Sequence, residues 1–189
     1  MELRDLVVTP VILFIVYFLA YLIRPRVTDL SIRRYFIPAL TVKIIGALTV
    51  GLIYQFYYGG GDTFAYHTHG SRIIWEAFVE DPLTGLKLLV NADITTSGVY
   101  EYAKQIWFYN DPKSFTVIQF ATLFDLITFS TYSSTAVLFA VFSFSGIWAL
   151  YLTFYKKFPE IHLGLALAIL FVPTVFFWGS GVLKDTIAI

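Results

Sequence analysis

Long apolar runs alternate with short polar stretches along this chain, and the runs have membrane length. Leu6 to Ile23 is uninterrupted, with Pro10 in its first turns, where proline is tolerated. Ala39 to Tyr58 follows, ending in Tyr54, Phe56, Tyr57 and Tyr58, an aromatic belt. Ser134 to Tyr155 and His162 to Trp178 complete four predicted spans, 6–23, 39–58, 134–155 and 162–178. Between the second and third lies a long segment, 59–133. There Phe64 to Glu80 places Tyr66, Gly70, Ile73, Ile74, Ala77 and Phe78 on one face and Thr68, Arg72 and Glu76 on the other. Such a helix lies in the interface plane, with Arg72 and Glu76 spaced to pair. Asp81-Pro82 ends it, Leu83–Leu89 is a short apolar piece, and Tyr100–Tyr109 predicts a second interfacial helix. Phe115–Phe129 is apolar except for Gln119 and Asp125; it is short for a span and reads as re-entrant or spanning. Asp125 is either half of a buried pair or water-facing.

Charge orients this pattern. Arg24, Arg26, Arg33 and Arg34 flank the first short loop, and Lys156 and Lys157 close the third run. Under the positive-inside rule both ends are cytoplasmic, so the N-terminus and the 59–133 loop are extracytoplasmic. Lys43 is expected to snorkel back to the cytoplasmic head groups.

Composition agrees with the pattern: 58% hydrophobic and 14% charged residues, with mean hydropathy +0.73, against about 45–50% and 25% in soluble domains. The predicted class is an all-α membrane protein of the cell membrane, a polytopic helical bundle with interfacial helices in an outer loop, forming one transmembrane domain over 1–189. The formal net charge of zero gives no basis for a nucleic-acid partner. Without cysteine there are no disulfides or thiolate metal sites. Lys184-Asp185 leads into Thr186-Ile187-Ala188-Ile189, the first turn of a further span, so the chain is expected to be the N-terminal part of a longer protein.

The candidate chemistry gathers at Gly59-Gly60-Gly61-Asp62, followed by His67, His69 and Arg72, and at Gly179-Ser180-Gly181 with Lys184 and Asp185. Glycines admit close backbone approach and positive φ. Asp62 and Asp185 each stand where a carboxylate can cap a helix or act on a ligand. Lys184 can bind phosphate or anchor a helix end. His67 and His69 point about 200° apart on a helix and cannot chelate one ion together. His67 with Asp62 leaves a divalent cation as a minor alternative, and no metal is assigned.

A carboxylate just after an early span, an interfacial helix behind it and a second acid in the next outer loop resemble the membrane-embedded GT-C glycosyltransferases. The likeness covers roughly Ala39 to Ile189 and departs from the family in the extra N-terminal span. It implies transfer of a sugar from a polyprenyl-phosphate donor, with Asp62 and Asp185 as the two loop acids. From the residues themselves, Gly60, Gly61, His67, Arg72, Gly181 and Lys184 are candidates for substrate and phosphate binding. The expected partners are a polyprenyl-phosphate-linked sugar and membrane lipid, with no cofactor. A lipid-linked polysaccharide polymerase or flippase, and a transporter with mid-bilayer sites on broken helices, are the alternatives.

Overall fold

The computed structural model describes residues 2–188. The chain is 77% helical, with no strand among the described residues. Three helices are long and apolar enough to cross a membrane: α1 (Asp5–Val27), α2 (Arg33–Phe56) and α8 (Tyr132–Lys157). Between α2 and α8 the chain forms α3 (Asp62–Tyr66), a π-helical turn (His67–Ser71), α4 (Arg72–Glu80), α5 (Pro82–Leu89), α6 (Tyr100–Ala103) and α7 (Pro112–Thr128). After α8 come α9 (His162–Leu170), α10 (Pro173–Trp178) and α11 (Lys184–Ala188).

The three long helices pack side by side. Thr9 meets Ser134 at the heads of α1 and α8, 3.1 Å apart, and at the other end the Trp148 indole donates to the Val27 carbonyl. α1 and α8 therefore run parallel, and α2 returns antiparallel, packed mainly on α8. α2 and α8 interlock through Phe36, whose ring meets Phe144 and Trp148 edge-on at 5.2 and 4.9 Å, while Phe144 and Trp148 stack on each other at 5.9 Å. α1 stays largely open: Phe14, Phe18, Val11 and Leu22 are exposed. So much apolar surface on one helix is the mark of a membrane protein, since water would penalise it.

α7 is 17 residues long. It leans antiparallel on the first half of α8, with Phe124 on Phe139 and Phe120 against Phe142. Phe129 and Ser130, both with positive φ, make the tight reversal between them.

Three expectations are corrected here. The run 162–178 is not one helix: Val172 is extended (φ −69°, ψ 123°) ahead of Pro173, which opens α10. Proline disfavours helical backbone in the residue before it and suits a first helical position, so the run divides there. The expected helix 100–109 is formed only over Tyr100–Ala103. Lys43 does not snorkel. It is 1% exposed, and its ammonium donates to Ser143 Oγ and to the carbonyls of Val175 and Gly179 at the end of α10. A cation at a helix C-terminus satisfies carbonyls that have no helical partner.

Candidate functional site

At the end of the bundle where α1 and α8 begin and α2 finishes, the 59–131 segment folds over the helix ends. Gly60 (φ 140°) and Gly61 (φ 126°) turn the chain through conformations that L side chains rarely adopt, and Gly61 lies flush on the Tyr54 ring. Asp62 follows as the first residue of α3, exposed. Its side chain makes no capping hydrogen bond, because the capping position falls on Gly61.

The expected helix 64–80 is interrupted. His69 leaves helical geometry (φ −102°, ψ 18°), and the π-helical turn widens the helix by one residue. Such insertions re-aim side chains and recur at functional sites. His69 is held by stacking on Trp107 (4.1 Å, 4°), whose backbone N–H donates to the His69 carbonyl. Gly70 meets Ile118 of α7 with no room for a methyl group. The re-aimed side chains are His67 and Ser71, both fully buried.

They face Asp125 of α7, which is also fully buried. Its carboxylate accepts from Ser71 Oγ at 2.6 Å and from Thr135 Oγ1 at 2.5 Å. His67 Nε2 lies 3.5 Å from Oδ1 of the same carboxylate. Thr135 spends its one proton on Asp125, so the Thr128 hydroxyl, 2.8 Å away, donates to Thr135. The two hydroxyl donors offset part of the several kcal/mol, in order of magnitude, that burying a carboxylate costs. Neither ring nitrogen of His67 has a hydrogen-bond partner among the described residues.

Tyr132, the first residue of α8, completes the wall. Its ring stacks on Phe64 (4.5 Å, 19°), meets His67 edge-on (5.3 Å, 90°) and fills the space left by Gly51. Its hydroxyl pairs with Thr63 Oγ1 at 2.7 Å. From the head of α1, Asp5 Oδ1 accepts the Ser133 N–H at 2.8 Å, capping α8 from another helix. Arg72 pairs with Glu2 at 2.5 Å and donates to the Ser130 carbonyl. The expected Arg72–Glu76 pair is not made.

These groups enclose a cavity of about 360 Å³. Glu2, Asp5 and Arg72 supply its charged rim, and Phe64, His67 and Tyr132 its inner wall. Gly59, Gly60 and Thr68 complete the lip. Of the residues singled out in the sequence, Gly59, Gly60, His67, His69 and Arg72 thus come together. Asp62 and Gly61 adjoin the lip without lining the cavity. Gly181 is buried beside Val50, Lys184 reaches Asp111 at 3.8 Å, and Asp185 is exposed in the first turn of α11. Glu2, Asp5, Asp125 and Tyr132 were not among the predicted site residues. An acid inside an apolar run is the one signal that pointed toward any of them. No three His, Asp or Glu side chains among the described residues are placed to hold a metal ion.

An apolar trough adjoins the cavity. It shares Glu2 and Asp5 with the rim and continues between α1 and α2 past Leu6, Leu13, Leu48 and Leu52, with a volume of about 620 Å³. No family model matches the chain, and no curated protein or solved structure is significantly similar to it.

Proposed function

We propose that this chain is a polytopic integral membrane glycosyltransferase, taking a sugar from a polyprenyl-phosphate donor to an acceptor on the extracytoplasmic face. The observation that carries the reading is the joint between a polar cavity and an apolar trough through the shared residues Glu2 and Asp5. A lipid-linked sugar has that same division, a polar head on an apolar tail. Phe64 and Tyr132 offer flat surfaces for a sugar ring. Arg72 is the rim cation placed for a leaving phosphate, and the exposed Asp62, beside the lip, is the carboxylate for the acceptor.

Orientation follows from charge. Arg24, Arg26, Arg33, Arg34, Lys156 and Lys157 all sit at the end of the bundle away from the cavity, beside two short loops. Short basic loops stay cytoplasmic, so the cavity faces out and the 59–131 helices lie at the outer interface. The transporter alternative draws on the broken run 162–178, but the Val175 and Gly179 carbonyls at the end of α10 are already taken by the Lys43 ammonium.

The test is transfer of labelled sugar from a polyprenyl-phosphate donor by purified protein in proteoliposomes. Asp62→Asn is expected to abolish transfer while its yield and elution volume match wild type. Turnover by that variant at the wild-type rate rules out Asp62 as a reacting group. No transfer from any polyprenyl-phosphate sugar by the wild type contradicts the transferase reading itself.

A further inference from the structure

Of all the ionisable side chains in the bundle, His67 has the least economical surroundings. It is fully buried, lines the polar cavity and has no hydrogen-bond partner at either ring nitrogen among the described residues. A histidine kept only for packing carries the cost of unmade hydrogen bonds, which an apolar side chain of similar size avoids. The chain nonetheless spends a π-helical turn on aiming this ring, and supports Asp125 behind it with Ser71, Thr135 and Thr128.

We propose that His67, oriented by Asp125, is a proton-accepting group for a hydroxyl-bearing ligand in this cavity. Asp125 Oδ1 faces Nε2, and a carboxylate favours the tautomer that carries its hydrogen on that nitrogen. Nδ1 is then the bare base, with no protein donor competing for its lone pair. Asp125 does not line the cavity, so its part is to position the ring. The other ionisable groups lining the cavity with it are Tyr132 of α8, which meets the ring, Glu2 and Asp5 at the head of α1, and His69 and Arg72 on its own stretch.

Joined to the transferase reading, on which only this step rests, the chemistry balances. The acceptor hydroxyl gives its proton to Nδ1 as its oxygen bonds to the sugar carbon. The bond from that carbon to the phosphate oxygen breaks, and the lipid phosphate leaves with the electron pair. The imidazolium, facing Asp125, then returns its proton to water. Asp62 at the lip is left to guide the acceptor inward or to steady positive charge on the sugar.

The experiment uses the whole chain in lipid nanodiscs, labelled with ¹⁵N at histidine. His67, His69 and His162 are its three histidines, and single His69→Gln and His162→Gln variants assign the third signal. At neutral pH His67 is expected to show a protonated Nε2 and a bare Nδ1, and Asp125→Asn to remove that preference. A hydrogen on Nδ1 in the wild type overturns the proposal, whatever the transfer assay gives. In that assay His67→Gln is expected to lower turnover at least about 100-fold, the low end for a lost general base, with donor KM within about threefold. His67→Gly is expected to regain transfer when imidazole is added, which a packing role would not produce. A loss below tenfold, or no rescue in a well-folded variant, overturns the catalytic step. A wild type that transfers nothing sinks the transferase reading, and the nitrogen spectrum alone then decides whether His67 is the bare base.

Discussion

The ammonium of Lys43 lies 2.9 Å from Ser143 Oγ and 2.5 Å from the Gly179 carbonyl, tying α2, α8 and the end of α10 together inside the bundle. Its third acceptor is the Val175 carbonyl at 3.3 Å. All three donor positions of the amine are thus used.

Removing that amine strands the Val175 carbonyl and leaves the Gly179 carbonyl with the Ser143 hydroxyl alone. Lys43→Met keeps the length of the stem and is expected to destabilise the protein by about 1–3 kcal/mol, the cost of leaving buried acceptors unmet. Thermal unfolding in detergent measures it. Lys43→Arg is expected to destabilise as well, because a planar fork does not fit a site built for a compact ammonium. A melting temperature unchanged in Lys43→Met would mean that the amine is not what closes α10.

Tyr132 separates packing from hydrogen bonding at the cavity wall. Tyr132→Phe keeps the stacking on Phe64 and loses the bond to Thr63, for an expected cost of about 1 kcal/mol. Tyr132→Ala empties the space over Gly51 and is expected to cost about 3–5 kcal/mol, as large-to-small changes in cores do. Denaturation of the two variants side by side checks the ratio. Equal losses would place the contribution in the hydroxyl rather than the ring.

Acid should loosen the 59–131 segment before the long helices. Asp111 caps α7; the Ser114 hydroxyl, with the backbone N–H groups of Ser114 and Lys113, holds its carboxyl below the usual value of 3.8. Asp81 caps α5 and is lowered first by the Thr84 hydroxyl and then by the Leu83 N–H. A folded value below the unfolded one means stability that is present above pH 3.8 and is lost as pH falls through the lowered folded values. Fluorescence of Trp75 and Trp107 is expected to shift in that acid range while far-UV helicity persists. Asp81→Asn with Asp111→Asn is expected to flatten the shift. An acid transition of full size in the double variant would contradict the assignment.

The three long helices were legible because uninterrupted apolar length is a local property. Asp5–Val27, Arg33–Phe56 and Tyr132–Lys157 each cover a run visible in the sequence. The buried face of 72–80 was legible too, since Ile73, Ile74 and Ala77 follow helical spacing. Lys43 was not. A lysine near a span end looks the same whether it snorkels or pairs, and its partners Ser143 and Gly179 lie far along the chain. Asp125 was visible as an acid in an apolar run, but nothing local joins it to His67, which reaches it only because the helix widens at 67–71. Asp62 looked like a cap; the positive φ of Gly61 places the capping position one residue earlier. Periodicity predicts faces, and it does not tell which faces meet.

The account stands on the polar cavity opening to the extracytoplasmic side. The chain has no cysteine, so single introduced thiols report without background. Thr68→Cys, on the cavity lip, and Lys157→Cys, at the far end of α8, are to be treated with a membrane-impermeant maleimide in intact cells and again after permeabilisation. The account predicts labelling of Thr68→Cys in intact cells and of Lys157→Cys only once the membrane is opened. The reverse pattern would put the cavity in the cytoplasm and contradict it.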